Sequence, residues 1–206
     1  MTVLVATPYR HDTLQAFLHR HREVVGSFTY PDLEHVMMEN DLGHVQGGKY
    51  APNAEARNQL IEQHLRPDHQ HVLWMDVDVV KAPKNLVEGL LALAGTVDAA
   101  APWALIEGRD QFYDYGGFVL QNGAHFRPNP PYTDAKGPVY PMDSVGTCYL
   151  VPARYYWKGC RYDPEGDEVE HLSFFRQVRD LGGRVWSTDQ LIVRHAHLPK
   201  WGEAWH

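Results

Sequence analysis

"LWMDVDVV", residues 73–80, is apolar enough for a buried strand yet carries two carboxylates one residue apart. A strand turns alternate residues to opposite faces, so Asp76 and Asp78 are expected on one face, with Val77 and Val79 on the other. Two like charges in apolar surroundings are costly unless compensated, and the usual compensation for paired carboxylates is a hard metal ion. This run therefore predicts a strand whose end holds a divalent cation.

Working outward, the same segment sits in an alternation of strands and helices. Val3 to Ala6 reads as a strand that Pro8 stops, Asp12 as the cap of a helix with Leu14, Phe17 and Leu18 on one face, and "HVMMEN" (35–40) as a second strand. Asn53 is expected to cap a helix through "AEARNQLIEQHL", which "RPDHQ" ends before the Asp-bearing strand. Pro83 fits a first helical turn ahead of Leu86, Leu90, Leu93 and Ala94, and "VDAAAPW" returns as a strand. Such alternation implies an α/β fold with a largely parallel sheet, whose ligands bind beyond the carboxyl ends of the strands.

From Trp103 to Met142 the chain is rich in Gly, Pro, Tyr and Asn and is expected to be a functional loop region. Regular structure resumes with a strand at "VGTCYLVPA", then a helix over "EVEHLSFFRQVRDLGG" with Phe174, Phe175, Val178 and Leu181 on one side. A last strand at "LIVRH" precedes an aromatic tail.

The 206 residues fit one sizeable domain, and a charged content of 22% with 44% hydrophobic residues is that of a folded globular chain. The net charge of −7 argues against a broad nucleic-acid surface, and two cysteines without CxxC spacing argue against a disulfide scaffold or a Cys-based zinc site. No apolar run reaches the length of a membrane span, so a cytoplasmic setting is expected.

The stretch "NAEARNQLIEQHLRPDHQHVLWMDVDVVKAPKNLVEGL" (53–90) resembles the nucleotide-sugar glycosyltransferases of the GT-A fold, in which an ARN-bearing helix leads into a strand ending in Asp-x-Asp. More narrowly it is similar to the yeast Golgi α-mannosyltransferases of the mannan-polymerase type. Ala56-Arg57-Asn58, Leu65-Arg66-Pro67, Asp76 to Val80 and Pro83 match that pattern. Weaker likeness continues through "FYDYGGF", "SVGTCYLVPARYYWKGCRYD", "EVEHLSFF" and "LIVRH".

The resemblance implies a single GT-A domain over 1–206, with residues 1–102 as the nucleotide-sugar half and 103–206 as the acceptor-side half that carries the last metal-ligand strand. It implies a metal-dependent glycosyltransferase with GDP-mannose as leading donor and retention of configuration, in which Mn²⁺ or Mg²⁺ offsets charge on the diphosphate leaving group. Asp78 would ligate the ion and Asp76 would contact the donor ribose or a metal-bound water. His195 in "VRHAH" is expected as the imidazole ligand, with His197 secondary, and such a ligand favours Mn²⁺.

Arg57 suits the Asp pair or a diphosphate, and Thr7, Pro8, Arg10 and Glu39 stand where GT-A enzymes hold the nucleotide. Glu168 and Glu170 diverge by roughly 200° on a helix, so only one can face the pocket; either would orient the acceptor or stabilise an oxocarbenium-like centre. Trp103, Tyr113 and Asp114 could floor an acceptor pocket for a glycan, lipid-linked sugar, protein, small molecule or modified nucleobase.

Three alternatives stand beside this reading. One is an inverting UDP-sugar enzyme with Glu168 in "GDE" as base. Another is a metal-dependent hydrolase of nucleotide sugars or phosphoesters, which needs a second carboxylate cluster or an isolated water site that the sequence does not display. The third is a non-catalytic nucleotide-sugar-binding module.

Overall fold

The computed structural model describes residues 1–10, 12–13, 15–40, 51–96, 98–114, 117, 119–121, 124–126, 139–166 and 169–196. Glu168 and His197, both singled out in the sequence, lie outside the described residues, as does the aromatic tail. The first half contains β1 (Thr2–Arg10), α1 (Gln15–Gly26), β2 (Leu33–Asn40), α2 (Ala51–His64), β3 (His69–Met75), β4 (Val79–Lys81), α3 (Leu86–Ala94) and β5 (Ala99–Ile106). The second contains β6 (Val119–Gln121), β7 (Ala124–Phe126), β8 (Val139–Pro141), β9 (Cys148–Pro152), α4 (Arg154–Trp157), α5 (Glu170–Asp180) and β10 (Val185–His195).

The main sheet runs β2-β1-β3-β9-β5-β10-β4, with β8 also on β10, while β6 and β7 form a separate hairpin. Parallel pairs join β1 to β2 and β3, and β10 to β5; β9 lies antiparallel between β3 and β5, so the sheet is mixed. Both faces are covered, which is why the central strands are apolar at nearly every position. Leu4, Ala6, Val72 and Trp74 pack on one side with Leu60 of α2 and Phe174 and Phe175 of α5. Val3, Val5, Leu73 and Met75 pack on the other with Val25 of α1 and Leu86 and Leu90 of α3.

Several local expectations are corrected. β1 continues through Pro8 to Arg10, because its pairing with β3 ends at Ala6 and the remainder is bonded to β2 alone, the edge condition that proline tolerates. Asn53 lies inside α2, which begins at Ala51, and so is not its cap. Leu181 falls beyond α5 and is 41% exposed, the chain leaving through Gly182 at a φ of 82°.

The Asp pair departs furthest from the strand expected for it. β3 ends at Met75, and Asp76 to Asp78 form a tight turn closed by the Val79 N–H donating to the Asp76 carbonyl at 3.0 Å. The Asp76 N–H donates to the Thr147 carbonyl, also at 3.0 Å, one step beyond the Met75–Cys148 pair of β3 and β9. The two carboxylates are thus brought together by a turn at the strand end, not by the pleat of one strand. Among the described residues no helix is long and apolar enough to cross a membrane.

Candidate active site

The carboxyl ends of β1 and β2, the Asp76–Asp78 turn, α2, the start of α5 and the end of β10 surround a cavity of about 270 Å³. Pro8, Tyr9, Arg10, Asn40, Asn53, Arg57, Asp76, Asp78, Tyr113, Glu170, His171 and His195 are in its lining.

Asp78 and His195 meet because β4 pairs with the end of β10, with His195 opposite Val79, one residue past Asp78. His195 Nε2 lies 2.9 Å from Asp78 Oδ2, and Nδ1 lies 2.7 Å from the Ala196 carbonyl. The carbonyl fixes Nδ1 as a donor and leaves Nε2 directed at the carboxylate. Burial opposes protonation of this imidazole, but the bond to Asp78 outweighs it and its pKa is raised. Tyr113 stacks on the ring, centroids 3.4 Å apart, and holds its plane. Among the described residues Asp78 Oδ1 is buried without a hydrogen-bond partner. A carboxylate oxygen lacking a donor, beside an imidazole nitrogen, is a donor set suited to Mn²⁺ or Mg²⁺, so the residues fit the cation. Among the described residues no group of three or more His, Cys, Asp or Glu side chains gathers as a complete ligand set.

Arg57 forms the cationic wall. It is 4% exposed, donates from Nη2 to Asp76 Oδ1 at 3.2 Å and places Nε 3.9 Å from Glu170 Oε1. Its guanidinium lies 4.9 Å from the centroid of the Trp74 ring, and Nε and Nη1 have no hydrogen-bond partner among the described residues. Burial lifts the Asp76 carboxyl above its ordinary range, Arg57 pulls it back and Asp78 adds to the lift. Glu170, at the first turn of α5, is likewise raised by burial and only partly restrained by Arg57.

Behind Glu170 runs a chain of buried neutral groups. His171 Nε2 is 3.4 Å from Glu170 Oε1 and its Nδ1 is 3.3 Å from the Tyr149 hydroxyl; that hydroxyl meets Tyr162 at 2.6 Å, Tyr162 meets Tyr156 at 3.2 Å, and Trp74 Nε1 donates to Tyr156 at 2.7 Å. Burial holds the His171 pKa well below its ordinary value, so no second cation competes with Arg57 for Glu170.

The other sequence candidates divide. Pro8 and Arg10 line the cavity, Arg10 paired with the exposed Asp12 at 2.8 Å. Thr7 is fully buried, its hydroxyl 2.9 Å from His21 Nε2 and 3.5 Å from His35 Nε2, so its side chain does not reach the cavity. Glu39 is exposed and outside the lining, accepting a 3.4 Å bond from the Tyr9 hydroxyl. Trp103 packs edge-on to Phe112 and tilted against Tyr140, also outside it.

Asp114 is buried with a different task. Its carboxylate accepts from the Gly146 and Thr147 N–H groups at 3.0 and 3.2 Å, and Thr147 in turn holds the Asp76 N–H. Asp114 therefore braces the turn instead of facing a ligand. Tyr9, Asn40, Asn53 and His171 belong to the lining but carry no sequence signal beyond lying at element ends.

This strand order, with its site at the carboxyl ends of β1 and β3, defines a GT-A glycosyltransferase fold. It superimposes on a structure of GalNAc-T7 with UDP, GalNAc and Mn²⁺ at a TM-score of 0.67 and 13% identity, covering 97% of this chain and 44% of that one. TarS of S. aureus gives 0.62 and 12% over 96% of this chain and 37% of that one; A197 from STIV gives 0.59 and 12% over 97% and 87%. At these identities the likeness is one of fold.

The sequence itself matches the profile of the Anp1 family over residues 38–125, which takes in Arg57, Asp76 and Asp78. The mannan polymerase II complex anp1 subunit of Schizosaccharomyces pombe (strain 972 / ATCC 24843) is 25% identical over 187 residues, 75% of this chain. The chain spans 43% of that relative's length. The family match takes in the Ala56-Arg57-Asn58, Leu65-Arg66-Pro67 and Asp76 to Val80 motifs.

Proposed function

We propose that the chain transfers a sugar from a nucleotide-sugar donor to an acceptor hydroxyl, with GDP-mannose as donor and retention of configuration, and that Asp78 and His195 hold Mn²⁺ or Mg²⁺. One observation carries this reading: a carboxylate with one oxygen unbonded among the described residues, and the imidazole beside it, face the same cavity as a buried guanidinium with two N–H groups likewise unbonded. A cation site beside an anion site is what a metal-bound diphosphate requires. The named relative, a mannan polymerase subunit, supports mannose as the sugar.

A divalent cation held there would offset the negative charge that grows on the diphosphate as the glycosidic bond breaks. Arg57 would bind a diphosphate oxygen through Nε and Nη1, and Asp76, anchored by Arg57 through Oδ1, would offer its other oxygen to the ribose. The bond from the sugar's anomeric carbon to the diphosphate breaks and one to the acceptor oxygen forms. The acceptor's proton passes to the departing diphosphate oxygen. Glu170, beside Arg57 and neutral His171, would face the positive charge developing at the anomeric carbon, and Tyr113 would contact the acceptor.

GalNAc-T7, with its UDP and GalNAc, favours a second reading in which the donor is a UDP-sugar. Calorimetric titration of GDP and UDP with and without Mn²⁺ tests both. GDP is expected to bind more tightly with Mn²⁺ and to lose that gain in His195→Ala, while a preference for UDP selects the second reading. Nucleotide binding indifferent to Mn²⁺ and to His195→Ala would refute the site. Release of free sugar at the same rate with and without acceptors would identify a hydrolase instead, and the anomeric signals in an NMR spectrum of the product would settle retention.

A further inference from the structure

A second cavity, also about 270 Å³, lies outside the site above and is lined by Lys81, Glu107, Gly108, Arg109, Asp110 and Arg194. Its volume is near the lower end of the roughly 300–1,000 Å³ of small-molecule sites. Arg194 and His195 are consecutive on β10, which pairs regularly with β5 at these positions, so their side chains leave the strand on opposite sides. The two cavities accordingly have no lining residue in common.

The charges in this cavity do not cancel. Glu107 is engaged from outside by Arg20 of α1, through both guanidinium Nη groups. Asp110 is engaged by Arg194 at 3.4 Å, and Arg194 is further held by the Arg109 carbonyl at 2.7 Å and the Ile106 carbonyl at 3.4 Å. Each acid is thereby paired with an arginine, and Arg194 is itself held by the two carbonyls. Lys81 and Arg109 remain, and neither has an ion-pair or hydrogen-bond partner for its side-chain cation among the described residues. Gly108, at a φ of 75°, turns the chain between Glu107 and Arg109, and a Cβ there would meet nothing within 4 Å, so the cavity floor is open. Two uncompensated cations on one concave surface, in a chain of net charge −7, mark a site for a small anion of matching charge.

We propose that this cavity binds a phosphate monoester, whose charge of about −1.5 to −2 at neutral pH matches the two unpaired cations. The inference is independent of the donor and the reaction assigned to the first cavity. Lys81 and Arg109 contact the phosphate, and Arg194, already fixed by its carbonyl and carboxylate partners, forms the back wall. The phosphate is carried by a soluble ligand or a lipid headgroup, which the test separates.

The test is titration of the full chain with inorganic phosphate, followed by the amide resonances of Gly108 and Arg109. Saturable shifts at these two amides are expected, with affinity weaker by at least about 100-fold in Lys81→Gln/Arg109→Gln, which removes both charge-assisted contacts. Both side chains are exposed and unpaired, so the variant keeps its fold and its Mn²⁺-dependent nucleotide binding. Cosedimentation with phosphatidic acid vesicles, lost in the same variant, would identify a lipid source; no vesicle binding alongside saturable phosphate shifts would identify a soluble one. Shifts that do not saturate, that are confined to the surroundings of Arg57, or that persist unchanged in the double variant would overturn the proposal.

Discussion

Asp78 and Arg57 take opposite parts in the site, and their substitution should separate binding from folding. Asp78 is 22% exposed at its side chain and its Oδ1 has no partner among the described residues, while Oδ2 bonds His195; Asp78→Asn removes the charge but keeps an oxygen able to accept from His195 Nε2. Thermal stability should fall modestly, by the lost support of the buried imidazole, whereas Mn²⁺-dependent nucleotide diphosphate affinity should fall by at least about 100-fold, beyond the 10–100-fold seen for groups that only support a ligand. Undiminished affinity by calorimetry would remove Asp78 from the site. Arg57 is the reverse case, a buried cation between Asp76 and the 4%-exposed Glu170. Arg57→Met should cost about 3 kcal/mol of stability at neutral pH, because it strands a buried carboxylate. Adding Glu170→Gln should recover part of that loss in urea denaturation; a simple sum of two losses would show that the pair is not coupled.

At the scale of elements, what holds the site is the docking of α2 on the segment before α5. Asn58 grips the Tyr162 backbone at both ends: its Nδ2 donates to the carbonyl at 2.8 Å and its Oδ1 accepts from the N–H at 3.0 Å. Tyr162 stacks on Phe174 of α5 and lies near the Arg57 guanidinium, so this clamp sets the floor on which Arg57 rests. Asn58→Ala leaves two backbone groups without partners and should cost about 1–3 kcal/mol, a Tm fall of about 3–10 °C for a chain of this size. Nucleotide affinity should fall far less than in Asp78→Asn, and a scan showing no loss of Tm would mean the clamp is replaced by water. The Asn of the ARN motif was visible in the sequence, but its partner, 104 residues away, was not. The order of strands and helices in the first hundred residues was legible because each apolar run has one period and one pair of ends. The Asp turn was misread as strand because a turn flanked by valines has the same alternation. The antiparallel insertion of β9 left no mark, since a strand buried on both faces looks alike in either direction. Of the site, residues in local motifs were legible; Asn53, Tyr9 and His171 were not, because only the tertiary fold brings them to the cavity.

For the whole molecule, the distribution of buried imidazoles fixes how stability responds to acid. His21 of α1 and His35 of β2 flank the Thr7 hydroxyl of β1 with ring centroids 5.5 Å apart, so one small polar cluster joins three elements. Burial, with the neighbouring His35, brings His21 down to about 3; burial, with Arg22, brings His35 down to about 4. His71 and His171 shift in the same direction, again chiefly through burial. The unfolded chain takes up these protons near the ordinary value of about 6.5, and the folded chain does not until far lower pH. The contribution of these histidines is therefore full above about pH 6.5 and falls as the pH drops toward 4, by up to about 1.4 kcal/mol per pH unit for each. His195, Asp76 and Glu170, whose pKa values are raised, contribute in the opposite sense. His21→Gln keeps a group able to bond Thr7 but binds no proton in either state, so it should remove one histidine's share of the slope. Urea midpoints at several values between about pH 7.5 and 4.5 measure it. A variant whose stability falls as steeply as the parent's would show that His21 is protonated in the folded chain as readily as in the unfolded one, and that the cluster beneath β1 is open to water.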